Sequence, residues 1–122
     1  MNKIQIIDDN NIPTIYVKSI CYKSPVPVET YEEEIGLLTR YINNAVEKFG
    51  YFVLVIDNEM VKLAHFDRNF FQRMCEEIDK NPDIITKLIE CRIINSSNTL
   101  KMIFEIFERC FSRPLRKKIR IL

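Results

Sequence analysis

Glycine, histidine and tryptophan are scarce or missing in this sequence, and with them many of the motifs on which enzymes rely. The 122 residues include two glycines, one histidine and no tryptophan. They contain no glycine-rich phosphate loop, no Gly-x-Ser-x-Gly motif and no cysteine beside a base. We therefore predict a protein that is not an enzyme and that uses no cofactor.

The cysteines do not form a metal-binding pattern. None of the four belongs to a Cys-x-x-Cys pair, and His65 is the single histidine, so the usual zinc-ligand spacing is absent. His65 lies in "KLAHFD", between an apolar strand and a helix, which favours a partly buried turn residue over a general base. Scattered thiols behind an N-terminus without a signal-peptide core predict a reducing, cytoplasmic location. The four thiols, which we expect to be buried, are Cys21, Cys75, Cys91 and Cys110.

A strong charge of one sign and long apolar runs are also missing. The formal net charge is +1, so we expect no nucleic-acid partner, and any electrostatic function must come from local clusters. No apolar run approaches the ~20 residues of a membrane-spanning helix. With 47% hydrophobic and 29% charged residues, the composition is typical of a single globular domain over residues 1–122.

What the sequence does contain is an alternation of strand and helix patterns. Apolar residues recur at helical spacing through 31–49, Thr30 and Glu33 have the form of a capping box, and Gly50 stands where the helix should end. The run "YFVLVID" at 51–57 is typical of a doubly buried central strand. Because strands alternate with helices, we predict an α/β fold with a single, mostly parallel sheet and βαβ crossovers.

The remaining elements follow from similar signals. The first two strands are predicted as a hairpin that turns at Asn10 or Asn11. One helix should be capped by Asp67, a short one should start at Asn81-Pro82, and a last one should end at "SRP". The strands predicted besides 51–57 are 4–7, 14–22, 90–94 and 118–122, and the last helix covers 100–111.

Two polar stretches could hold ions. In "RIINSSNTLKMIF", at 92–104, a strand leads through a polar turn into a helix, a layout in which the helix N-terminus can bind an anion. The turn has no glycine to let the backbone approach a phosphate, so we favour a simple helix cap. Asp57 and Glu59 follow the central strand and could hold magnesium, but a turn-forming role for Asp57 is favoured.

From Thr14 onward, the order of these motifs resembles the CRAL-TRIO, or Sec14-like, family of lipid-binding domains. Gly50-Tyr51 through Asp57 match the central strand of that family, and "NPDIITKLIECRIIN" matches its proline-started segment and next strand. "LKMIFEIFERCFSRPLRKKIRIL" matches its last helix and strand, with Lys118-Ile119 on the recurrent Lys-Ile pair. The resemblance implies a Sec14-like fold and a function in binding.

Two departures from the family pattern bear on that function. Ser96-Ser97 replaces the small residue and proline that usually follow Ile-Asn. The family also continues beyond the Lys-Ile strand into segments that wall and gate its lipid cavity, whereas this sequence ends at Leu122.

"FFQRMCEEIDKNPDIITKLIECRII" is equally similar to the BCH branch, whose members resemble scaffolds that bind small GTPases, their regulators or one another. We therefore expect a protein-interaction or self-association module, as a homodimer or with a protein partner; the alternative is binding of a lipid or another small apolar ligand.

Alternation along the strands predicts which residues make these contacts. If the more apolar side of each strand packs on helices, the opposite side gathers basic and apolar groups, unless it is merely solvated. The predicted basic contacts are Lys18, Arg92, Lys118 and Arg120, joined by Arg116 and Lys117 of the tail "SRPLRKKIRIL". The predicted apolar contacts are Tyr16, Ile20, Tyr22, Phe52, Leu54 and Ile94. The basic tail allows at most peripheral contact with an anionic membrane.

Overall fold

The computed structural model describes the backbone of residues 4–9 and the whole of residues 12–122. These residues form a five-stranded sheet in which the spatial order of the strands follows their order in the chain. The strands are β1 (Ile4–Asp9), β2 (Ile12–Lys18), β3 (Phe52–Asp57), β4 (Leu88–Ile94) and β5 (Ile119–Ile121). β1 is antiparallel to β2, and β2 to β5 are parallel to one another. The predicted α/β fold with a mostly parallel sheet is confirmed, and the predicted hairpin turn at Asn10 or Asn11 lies outside the described residues.

The helices connect the parallel strands. α1 (Tyr31–Phe49) joins β2 to β3, α2 (Arg68–Asp79) and α3 (Pro82–Lys87) join β3 to β4, and α4 (Asn98–Glu108) and the short α5 (Arg113–Arg116) join β4 to β5. When parallel strands follow one another in chain order, right-handed crossovers place every connecting helix on the same side of the sheet. No helix in residues 12–122 is long and apolar enough to cross a membrane.

The hydrophobic core lies between these helices and one side of the sheet. Leu38 of α1, Phe71 of α2 and Phe104 of α4 belong to a single cluster of buried side chains. The strands contribute alternate residues to the same cluster, as their period of two requires. These strand residues are Ile15, Val17, Phe52, Leu54, Ile56, Leu88, Cys91 and Ile93, with Ile119 and Ile121 packed against them.

Several helix ends were predicted from their capping residues. Gly50 has a φ of 85° and its N–H donates to the carbonyl of Val46 at 2.8 Å, as the C-terminal end of α1 requires. Asn81 and Ser97 accept hydrogen bonds from the first turns of α3 and α4, so the polar turn at 96–98 is a helix cap. The capping box at Thr30 was wrong, because a 3-10 turn (Val28–Thr30) precedes α1 and the Thr30 hydroxyl donates back to Pro27.

Asp67 fastens a proline-rich segment to the start of α2. One carboxylate oxygen accepts a hydrogen bond from the Phe70 N–H at 3.0 Å, as a helix cap does, and the other accepts from the Val26 N–H at 2.8 Å. The Tyr31 hydroxyl also hydrogen-bonds this carboxylate. Beside it, the Ser24 N–H donates to the His65 carbonyl at 2.8 Å. Asp67 therefore ties residues 24–26 and the start of α1 to α2.

Two irregularities of the sheet were not predicted. The second strand ends at Lys18 instead of Tyr22, and a 3-10 turn (Ser19–Tyr22) follows it. In β4 the pairing with β3 slips, since Phe52 pairs with Leu88 but Leu54 pairs with Cys91. Ile89 and Glu90 therefore stand together opposite Val53, as in a β-bulge.

Candidate functional site: the helix-free face of the sheet

The side of the sheet opposite the helices carries the alternate residues of β2 to β5, and we call it the helix-free face. Its residues are Thr14, Tyr16 and Lys18 of β2, Val53, Val55 and Asp57 of β3, Glu90, Arg92 and Ile94 of β4, and Arg120 of β5. In the part of the chain that the structure describes, none of these residues belongs to the buried cluster beneath the helices. The helices therefore leave this side of the sheet uncovered.

Strand register arranges this face in rows. Tyr16, Val55, Arg92 and Arg120 are paired across all four parallel strands, and Lys18, Asp57 and Ile94 form the next row. At the centre, Val53 and Val55 are only 2% and 6% exposed although no helix packs on them. Longer side chains in their own rows, such as those of Tyr16 and Arg92, flank them. The centre of the face is thus apolar and its border is polar.

The charges on the helix-free face have both signs. The Nε of Arg92 donates to Glu90, two residues earlier on the same strand. Asp57 lies beside Lys18 in its row and is 5% exposed. The sequence predicted a basic surface here, but the structure adds two carboxylates to Lys18, Arg92 and Arg120.

Asp57 is the most heavily hydrogen-bonded side chain of this face. Its carboxylate accepts hydrogen bonds from the Tyr16 hydroxyl, from the Asn95 amide at 2.9 Å and from the Glu59 N–H at 2.9 Å. Burial pushes the pKa of Asp57 up, but these hydrogen bonds and the nearby Lys18 outweigh burial and leave the pKa below its ordinary value. Burial, assisted by the bond to Asp57, raises the pKa of Tyr16 to about 12. At neutral pH Asp57 is therefore ionised and Tyr16 is a neutral donor.

The predicted basic contacts lie at two places. Lys18, Arg92 and Arg120 lie on the helix-free face, whereas Lys118 precedes β5 and its ammonium donates to the carbonyls of Ile85 and Thr86 at the end of α3. Arg116 ends α5, and Lys117 follows it. A shallow groove of about 520 Å³ there is lined by Ile85, Thr86, Arg113, Pro114, Lys117 and Lys118.

Only some of the predicted apolar contacts lie on the helix-free face. Tyr16 and Ile94 do, but Phe52 and Leu54 are 0% and 2% exposed in the core beneath the helices. Every residue of β3 is buried, so its sequence pattern does not reveal which residues point to which side. The residues that the helix-free face takes from β3 are Val53, Val55 and Asp57.

Because β2 ends at Lys18, the other two predicted contacts, Ile20 and Tyr22, lie in the turn that follows it and not on the helix-free face. Tyr22 stacks on Phe70 of α2 with ring centroids 5.0 Å apart, so it lies on the helix side of the sheet. It lines a narrow apolar cleft of about 20 Å³ there, together with Val17 and Met74. Ile20 borders a depression at the end of the strands with Lys18, Asp57, Glu59 and Met60.

Sequence reasoning missed Ile89 and Glu90, both of which the bulge brings to the helix-free side. Leu88 and Cys91 on either side of them are buried in the core, so the two residues between must leave it. The side chain of Ile89 remains 47% exposed, and Glu90 pairs with Arg92. The sequence "LIECRII" does not show the bulge, because a prediction from strand alternation assumes that each residue pairs with one residue of the neighbouring strand.

Comparisons with known proteins support the fold. No family model matches the chain, and no curated protein matches it. Among solved structures the chain is similar to Sfh5, a Sec14-family protein, with a TM-score of 0.70 and 16% sequence identity. The match covers 99% of this chain and 47% of Sfh5, so the chain spans about half the length of that protein. The chain has a Sec14-like fold.

Proposed function

We propose that this protein is a non-catalytic interaction module that associates with a second copy of itself through the helix-free face. The observation that carries the proposal is a sheet face without helix cover that presents charges of both signs, Arg92 beside Glu90, with Ile89 47% exposed next to them. A specific interface combines apolar and polar contacts, and Ile89 with the charged side chains beside it offers both.

The charges of the face are compatible with a second copy. In a two-fold symmetric dimer the same patch meets itself, so it must carry both signs to be complementary. Glu90 supplies the exposed negative charge, and Lys18, Arg92 and Arg120 supply the positive ones, while the ionised Asp57 is buried.

The edge of the sheet is a poorer contact than its face. β5 is an edge strand of three residues, and the Arg120 guanidinium donates to the Lys117 and Ile119 carbonyls at 2.8 and 3.1 Å. An edge strand pairs with another strand through its free backbone groups. The Arg120 guanidinium already hydrogen-bonds one of these groups, the Ile119 carbonyl. Arg120 thus protects the edge at the position where a further strand would pair.

The proposal predicts a dimer that charge reversal on the face disrupts. Light scattering after size exclusion should give about twice the chain mass of 14.6 kDa. Replacing Arg92→Glu together with Arg120→Glu should shift the mass to that of one chain, since it replaces two of the three positive charges of the face by negative ones. Thermal stability should change little, as is usual for surface substitutions.

A matched control separates position from net charge. Arg116→Glu with Lys117→Glu makes the same change in charge at the tail, outside the helix-free face, and should leave the dimer intact. A wild-type protein that stays monomeric at high micromolar concentration would contradict the proposal. So would equal loss of the dimer in both double variants.

Binding of a lipid or another small apolar ligand is the second candidate, and the Sec14-like fold favours it. The groove with Arg113, Lys117 and Lys118 offers positive charge for a headgroup, whereas the apolar cleft beside Tyr22, of about 20 Å³, would have to widen to admit an apolar chain. If a lipid is the ligand, organic extraction of mildly purified protein should release one species in stoichiometric amount. A folded protein that releases nothing would remove this candidate. The cytoplasmic location, the absence of a nucleic-acid partner and the BCH branch remain predictions.

A further inference from the structure

We propose that the edge of β1 that faces away from β2 binds an extended segment of a partner protein as an added strand, beside one flank of α1. The starting observation is the order of the sheet, in which β1 is an outer strand and pairs with β2. Within residues 4–9 and 12–122, no strand lies on its other side. This edge is separate from the helix-free face, so the inference does not depend on self-association.

The pairing of β1 with β2 shows which backbone groups of β1 point outward. In an antiparallel ladder, pairs that exchange two N–H···O bonds alternate with pairs that exchange none. Asp8 stands opposite Pro13, which has no N–H, so this pair exchanges none. By alternation, the N–H and C=O groups of Ile4, Ile6 and Asp8 point away from β2. Such a row of backbone groups is what an added strand binds.

The two edges of the sheet differ in their protection against a further strand. Short length, lysine, proline and bulges are the features that keep edge strands from pairing. β5 has three residues, and Arg120 already hydrogen-bonds the Ile119 carbonyl. β1 has six residues, "IQIIDD", without proline or a basic residue, and its register with β2 is unbroken. The edge of β1 is therefore the one that is open to a partner.

One flank of α1 offers apolar contacts beside this edge. Thr39 lines a groove with Glu77 and Ile78 of α2, so that side of α1 faces α2. Leu37 and Tyr41 lie two residues before and after Thr39, which places both about 160° around the helix from it. Because α2 lies toward β4, this opposite flank of α1 points toward β1, which α1 contacts. Leu37 and Tyr41 are only partly buried, so apolar side chains of an added strand can pack against them.

These features define the chemistry of the partner segment. Its backbone is extended, because only an extended chain aligns its groups with those of β1. Apolar residues alternate with polar ones, since one side of the added strand faces α1 and the other faces solvent. Basic residues lie at the end that reaches Asp8 and Asp9, because opposite charges across neighbouring strands are favourable. In the antiparallel orientation, which is the more stable one, this is the N-terminal end of the segment.

Amide hydrogen exchange with a model peptide tests the proposal. The probe is acetyl-RKVTVTV-amide, which has the basic end and the alternation. In the free protein the amides of Ile4, Ile6 and Asp8 should exchange rapidly, and those of Gln5 and Ile7, which bond β2, slowly. Peptide in excess at millimolar concentration should slow exchange at the first three amides by about tenfold. Unchanged exchange at these three amides would overturn the proposal.

Two controls separate strand addition from less specific binding. N-methylation of the valines and N-methylation of the threonines block N–H groups on opposite edges of the peptide, so one methylated peptide should bind like the parent and the other should not. Equal binding by both would contradict the proposal.

On the protein, Ile6→Pro removes one outward N–H and keeps the bonds to β2, so the folded variant should bind the parent peptide about tenfold more weakly. Circular dichroism checks its fold, and the methylated peptides decide the matter if it does not fold. A second copy of the chain is the other possible occupant of this edge. If the wild type alone protects Ile4, Ile6 and Asp8 and loses this protection on dilution, a second copy binds there and the proposed partner segment is wrong.

Discussion

Replacing Phe104 by alanine should lower the free energy of unfolding by about 3–5 kcal/mol, the usual cost of removing a fully buried phenylalanine ring. Phe104 is 2% exposed and lies at the centre of an aromatic cluster between α2 and α4. Its ring centroid is 4.9 Å from that of Phe71 and 5.2 Å from that of Phe66, both in edge-to-face geometry. Chemical denaturation followed by circular dichroism would measure the loss.

Met102 on the same helix gives the matched control. It is 65% exposed, so Met102→Ala removes a side chain of α4 without opening a cavity, and the free energy of unfolding should change by less than about 0.5 kcal/mol. Losses of similar size in both variants would mean that α4 does not pack on the sheet through Phe104.

Asp57→Ala should cost about 3 kcal/mol, because it deprives three hydrogen-bond donors of one acceptor. The Tyr16 hydroxyl, the Asn95 amide and the Glu59 N–H all donate to this carboxylate. A buried donor left without a partner costs about 1–3 kcal/mol, and water reaches some of these groups after the substitution. Glu59→Ala is the control, since the Glu59 side chain is exposed and its backbone N–H is kept.

The difference in the free energy of unfolding between the wild type and Asp57→Ala should change with pH in one direction. The pKa of Asp57 in the folded protein lies below its ordinary value of 3.8, so the carboxylate stabilises the fold above that value. As the pH falls through the folded pKa, this contribution is lost. The gap in stability between the wild type and Asp57→Ala should therefore narrow in acid. A difference in the free energy of unfolding that stays constant down to the lowest pH at which both proteins fold would contradict this role of Asp57.

The elements that the sequence predicted well have local causes. Gly50 ends α1 because only a residue tolerant of positive φ fits there, and Ser97 and Asn81 cap helices with their own side chains. The alternation of these helices with apolar strands was sufficient to predict a parallel sheet. The resemblance to Sec14-like domains rested on this order and agrees with the solved structure of Sfh5.

The composition of the candidate site depends on long-range pairing and could be predicted only in part. Tyr16, Arg92 and Arg120 alternate clearly with apolar neighbours, and they share a row. β3 is apolar from Phe52 to Ile56, so only its register with β2 decides that Val53 and Val55 face away from the helices. The bulge at Ile89 and Glu90 likewise arises from pairing with β3 and leaves no mark in the sequence.

Asp67 has a consequence for amide hydrogen exchange. The same carboxylate accepts the Phe70 N–H at the start of α2 and the Val26 N–H of the proline-rich segment, 41 residues away in sequence from Asp67. Fraying of the first turn of α2 therefore releases the segment as well, and both amides become accessible to solvent in one opening event. We expect these two regions, distant in sequence, to form one cooperative unit of local unfolding, with similar protection at Val26 and Phe70.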